Sequence, residues 1–146
     1  MVGKSGISPV ITTIILVAVS IIVSIAVAYW LGGITTIFMR FETLSIEDTW
    51  IVQTENNWTI NLKIWNKGTS GTSINSIRIN DIPITAIPNV YLNGTEPENI
   101  DIAVPIGEEV LLVLTIDRIL YKSGQTIIVT IHTTGGLDYS KTIVLP

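Results

Sequence analysis

Few side chains in this sequence have the types and spacing that chemistry requires. His132 is the single histidine, and the alternation around it sets it opposite the apolar Ile131, at an exposed position rather than that of a base or ligand. One imidazole alone makes a poor metal site. Cysteine is absent, which excludes disulfides, thiolate zinc sites and thiol nucleophiles. Carboxylates cluster at Glu47-Asp48, Glu96 and Glu98, and Glu108-Glu109, with Asp101 between the last two groups. Such groups do acid–base work only where the fold converges them on a cleft. Glu108-Glu109 follows the Gly107 turn and reads as a solvated strand start, and the other groups read as loop charges. Neither a phosphate-cradling glycine loop nor a nucleophile elbow occurs. No enzyme activity, metal or cofactor is expected.

Two other kinds of chemistry are written more clearly. Asn57-Trp58-Thr59 and Asn93-Gly94-Thr95 are the two Asn-x-Thr triplets, so Asn57 and Asn93 are candidate glycan acceptors. At the N-terminus, Met1-Val2-Gly3-Lys4-Ser5-Gly6 is a short basic leader ending in a small residue, placed directly before a long apolar run.

That run dictates the first element. No charge separates Lys4 from Arg40, and the interval holds Ile11, Ile14, Ile15, Val17, Ile21, Ile22 and Ile25 among other aliphatic residues. As a helix, the stretch from Ile7 to Trp30 measures about 36 Å at about 1.5 Å per residue, enough for a bilayer core of about 30 Å. Ser8 can accept a hydrogen bond from the first-turn amides, and Pro9 suits the first helical position, so the helix is predicted to start there. Lys4 marks the cytoplasmic end, and Tyr29-Trp30 is an aromatic pair at the far interface, which places the rest of the chain outside. Gly32-Gly33 predicts a bend, followed by one or two more turns. A secretory signal peptide has an apolar region of roughly 7 to 15 residues, half of what is present here. A plain single-pass anchor fits the length.

Beyond Phe41 the apolar period becomes two. Ile60, Leu62 and Ile64 alternate with Thr59, Asn61 and Lys63; Ile77 and Ile79 follow; Leu112, Leu114 and Ile116, then Ile127, Val129 and Ile131, repeat the pattern. Turns at Asn66-Lys67-Gly68, Pro105-Ile106-Gly107, Lys122-Ser123-Gly124 and Gly135-Gly136 separate them. About seven short antiparallel strands are predicted, in an immunoglobulin-like sandwich. Of Trp50, Trp58 and Trp65, one or two are expected to fill its core. The fold class is therefore α+β: a long hydrophobic N-terminal helix followed by an all-β head. Charged residues make up 14% of the chain against roughly 25% in an average soluble protein. Such a surface suits neighbouring subunits, glycans or an acidic medium. The eight Lys and Arg are scattered singly and the net charge is -4, which argues against nucleic acid as a ligand.

Lys4-Ser5-Gly6 followed by Ile7-Ser8-Pro9-Val10-Ile11 and the Ile/Val/Ala-rich helix resembles the N-terminus of archaeal type IV pilin precursors. The Ser-Pro pair is closer to adhesion-type pilins than to archaellins. Bacterial pilins carry a Glu at the fifth mature position, where this chain has Ile11. The resemblance implies a class III signal peptide: a prepilin-type signal peptidase cuts Gly6–Ile7, with Lys4 as the leader's basic residue. Residues 1–6 would be the leader, 7–41 the membrane and filament-core helix, and 42–146 the extracellular head. It further implies a membrane precursor, then a helical homopolymer at the cell surface serving adhesion. Identical subunits, a pilus assembly ATPase and a membrane platform protein would be its partners. The alternative is a membrane-anchored surface binding or accessory protein, such as a minor pilin, that does not polymerise.

Overall fold

The structure, a computed structural model, describes residues 6, 8–38 and 40–146. Lys4 and Ile7, two of the three residues expected at the processing site, lie outside the described residues. The chain divides into two compact units between Arg40 and Phe41.

The first unit is one helix, α1, Pro9–Phe38, 30 residues long. Its start matches the expectation from Ser8-Pro9. Among the described residues, Ser8 supports the first turn through its carbonyl, which accepts from the Thr12 amide at 3.0 Å, rather than through its hydroxyl. α1 continues without a break through Gly32 and Gly33 to Phe38, adding the further turns expected after the pair. Glycine lowers helix propensity by about 1 kcal/mol but keeps its N–H and C=O, so the hydrogen-bond ladder continues. The last turn closes with the Arg40 amide on the Ile37 carbonyl at 3.4 Å, and Phe41 belongs to the other unit.

The second unit is an antiparallel β-sandwich. Nine strands occur among the described residues: β1 Leu44–Gln53, β2 Asn57–Asn66, β3 Thr72–Ile79, β4 Ile82–Pro83, β5 Tyr91–Leu92, β6 Ile102–Val104, β7 Glu109–Asp117, β8 Thr126–Thr133 and β9 Asp138–Val144. The first sheet has the order β1-β2-β7-β5 and the second β4-β3-β8-β9, with β6 also on β3. This is the order of an immunoglobulin constant-type sandwich, A-B-E-D against C-F-G, with β4 as an extra outer strand. The strands beyond the expected seven are β4, β5 and β6, of two or three residues, too short to carry a period.

The alternating aliphatics fill the space between the sheets. Ile60, Leu62, Ile64, Ile77, Ile79, Leu112, Leu114, Ile116, Ile127, Val129 and Ile131 are all buried. Trp58 joins them with none of its surface exposed, and its Nε1–H donates to the Tyr121 carbonyl at 2.7 Å. Arg118 covers the ring at 4.6 Å from its centroid. Glu47 and Asp48, expected in a loop, lie within β1. There the register with β2 slips between Ile46 and Thr49, a bulge that turns successive residues outward.

The Asn66-Lys67-Gly68 turn holds the residues that enter the sandwich. Buried Asn66 donates from Nδ2 to the Ser70 and Val104 carbonyls, each at 2.9 Å, and its Oδ1 accepts from the Gly68 amide at 2.9 Å. The turn then grips residues 41–43: the Lys67 amide donates to the Thr43 carbonyl at 2.8 Å and the Thr69 amide to the Phe41 carbonyl at 2.9 Å. Across the strap, the Thr133 hydroxyl donates to the Glu42 carboxylate. Gly68 permits this approach. A Cβ there would sit 2.6 Å from both the Phe41 carbonyl oxygen and the Thr43 nitrogen, and neither backbone atom can rotate away.

Gly68→Ala is therefore expected to cost about 1–3 kcal/mol, the usual penalty of overpacking, read as a lower thermal midpoint by circular dichroism. Gly135→Ala should cost less, because what its Cβ meets is the Glu42 carboxylate, the end of a flexible side chain. Equal losses would refute the account of the strap.

Candidate functional site

The most unusual surface belongs to α1. Ile11, Ile14, Ile15, Val17, Ile21, Ile22, Ile25, Tyr29 and Trp30 are all exposed, and no residue of the helix is buried. Aliphatic residues surround it on every side, so it has no polar face to turn to water. Its six Ser and Thr do not supply one. Each hydroxyl donates back to a carbonyl of the preceding turn: Thr12 to Ser8 (3.3 Å), Thr13 to Pro9 (2.7 Å), Ser20 to Leu16 (2.7 Å), Ser24 to Ser20 (2.6 Å), Thr35 to Leu31 (2.6 Å) and Thr36 to Gly33 (2.8 Å). The helix thus consumes its own side-chain donors, which an apolar medium requires and water does not. Sequence reasoning missed this; the signal was that α1 has no polar residues other than hydroxyls and the tips of Tyr29 and Trp30. The helix is long and apolar enough to cross a membrane, with a mean hydropathy of 2.9 in its most apolar window. Ahead of it, Gly6 and Ser8 are exposed and outside any regular element.

On the head, the candidate catalytic groups stay dispersed. Among the described residues, no three His, Asp or Glu side chains converge as a metal site would require. Glu109 pairs with Lys63 at 2.7 Å and Glu47 pairs with Lys67. Glu96, Glu98, Asp101 and Glu108 are exposed outside the strands.

His132 lies across from Ser76 on one side and Asp138 on the other, opposite buried Ile131 as alternation requires. Its Nδ1 meets the Asp138 carboxylate at 2.5 Å, and Arg78 reaches that carboxylate's other oxygen at 2.8 Å. The pairing was legible in principle, because the Gly135-Gly136 turn fixes which residues of β8 and β9 face each other. The two Asn-x-Thr triplets differ in setting. Asn57 is half-buried at the start of β2, paired with Asp117, and is followed by buried Trp58. Asn93 sits exposed in a turn with φ 51°, its Oδ1 accepting from the Val113 amide at 2.9 Å. The tryptophans separate too: Trp58 is core, Trp65 is half-buried beneath the Lys67 ammonium at 4.7 Å, and Trp50 is exposed on the outer face of the first sheet.

No protein-family model and no curated protein matches the chain. Fold and surface together define its class: an immunoglobulin-type sandwich on a chain whose apolar helix is of membrane-spanning length.

The hydrogen bond from His132, with Arg78 beside it, holds the Asp138 carboxyl below its ordinary value. A depressed folded-state pKa contributes stability above the usual carboxylate range, near 3.9, and loses it as pH falls through the folded value. Asp138→Asn should therefore be less stable than the parent near neutrality, with the gap closing toward a pH of about 2. Denaturant unfolding of both proteins across that range checks this; a gap independent of pH would assign the loss to packing.

Proposed function

We propose that the chain is the major subunit of an archaeal type IV pilus-like filament, made as a membrane precursor and polymerised through α1. The observation that carries this reading is the helix with no buried residue and with every Ser and Thr hydroxyl satisfied internally. Such a surface is stable in lipid and equally stable against other copies of itself, so one helix serves as an anchor before assembly and as filament core afterwards. The leader Lys4-Ser5-Gly6 before Ile7-Ser8-Pro9 supports cleavage at Gly6–Ile7 by a prepilin-type peptidase.

In this reading the head stays outside and forms the filament wall, serving adhesion. Extraction exchanges lipid contacts for helix contacts, so no net water exclusion drives it. A cytoplasmic ATPase and a membrane platform protein supply the work. The sparsely charged head is the part available to neighbours and to glycans, and Asn93, exposed in its turn, is the better acceptor of the two.

N-terminal sequencing of material sheared from cells tests the proposal. Mature chains should begin at Ile7 and sediment as fibres; chains beginning at Met1 and confined to membranes would make this an anchored surface protein instead. Gly6→Phe should leave full-length precursor in the membrane and abolish filaments, and normal filaments from that variant would overturn the processing step. In a glycosylating host, glycopeptide mass spectrometry should find higher occupancy at Asn93 than at Asn57. Occupancy at Asn57 alone counts against the geometric argument.

A further inference from the structure

The outer face of the first sheet carries an open groove of about 430 Å³ lined by Asp48, Trp50, Lys63, Glu109, Val110 and Leu111. Three strands build it. β1 supplies Asp48 and Trp50, β2 supplies Lys63, and β7 supplies Glu109 to Leu111. The register sets Leu111 directly opposite Lys63 and Trp50 opposite Asn61, so one apolar stripe and one charged pair share the same face. Trp50 is 45% exposed and Leu111 46%, although the neighbouring core had room for Trp58. The β1 bulge lies immediately before Thr49, and bulges commonly re-aim side chains beside binding sites.

We propose that this groove binds a neutral saccharide, one pyranose ring stacking on the Trp50 indole while its hydroxyls meet the charged rim. A pyranose presents an apolar C–H face and a belt of hydroxyls. The indole offers a flat, electron-rich surface to the first, and Asp48, Glu109 and Lys63 offer charge-assisted hydrogen bonds to the second.

Other ligands fit less well. A phosphate or acidic sugar would face two carboxylates and one ammonium that is already paired with Glu109 at 2.7 Å. An extended peptide adds to a free sheet edge; β1 is such an edge, but the groove lies over the face of the sheet, above β2, which is paired on both sides. A purely apolar ligand needs a pocket that encloses most of its surface, and this one is open. The inference concerns the head alone and holds whether or not the chain polymerises.

The test uses the full chain in a detergent without a sugar headgroup, titrated with cellotetraose, mannotetraose and chitotetraose and followed by saturation-transfer NMR. At least one should bind saturably, and Trp50→Ala should weaken it about tenfold or more, the order of loss when a central tryptophan is truncated. Trp50→Phe should lose less. Glu109→Gln, which keeps the shape of the rim, should weaken binding with an unchanged thermal midpoint, and this arm stands even where Trp50→Ala impairs folding. Absence of saturable binding by all three sugars up to about 10 mM, well past the millimolar range of weak ligands, would overturn the proposal. So would full binding by a folded Trp50→Ala protein. If the parent binds no sugar and Trp50→Ala loses its fibres, the groove is a contact between copies and the saccharide assignment fails.

Discussion

The constraint on which everything else rests is that α1 has no partner within its own unit. Thirty residues of helix leave no side chain buried, and at roughly 25 cal/mol per Å² of apolar surface that exposure is far too costly to persist in water. Lipid or further helices would supply the cover that the unit lacks within itself. The hydroxyls answer the same constraint from within, since each one left unpaired in an apolar medium would cost several kcal/mol. A helix of this composition can therefore exchange one apolar environment for another without breaking any hydrogen bond.

The head is a compact unit of its own, with its own core. It has no disulfides and few charges, so its order comes from burial and from fully satisfied polar pins. The Ile-rich layers between the sheets supply the first. Asn66 and Trp58 supply the second: each is wholly buried, and each spends its donors on carbonyls of other connections. A buried amide with both ends used fixes loop positions as well as adding stability. Here it holds the turn that clasps residues 41–43, the entry of the chain into the sandwich.

The parts legible in the sequence were those governed by local period and local turn chemistry. Ser8-Pro9 marked the start of α1, and the alternations at Ile60–Ile64, Leu112–Ile116 and Ile127–Ile131 marked strands that lie where expected. What escaped depends on pairing between distant segments. Glu47-Asp48 read as a loop because a bulge destroys the period of two that identifies a strand. The division of the described strands into two sheets follows from register between segments far apart in sequence, which hydropathy encodes only weakly. Three tryptophans of similar sequence setting received three different fates. Strand parity sends Trp58 into the core and leaves Trp50 and Trp65 on the outer side, where Lys67 covers Trp65.

That parity also sets what each outer face presents, and both faces expose apolar side chains, Ile128 and Val144 among those of the second sheet. The second sheet presents Arg78, His132 and Asp138, joined in one network. The first presents Trp50, Val52 and Leu111, each about half exposed, with Lys63 and Glu109 at their margin. A charged network already satisfied within the sheet gains little by surrendering its hydration to a partner. Exposed aromatic and aliphatic side chains bordered by polar groups gain by being covered. On the first sheet the half-exposed aromatic and aliphatic side chains sit together over one groove, which gives that face a reason to be covered. The alternation that fills the core with isoleucine also sets which side chains each outer face presents.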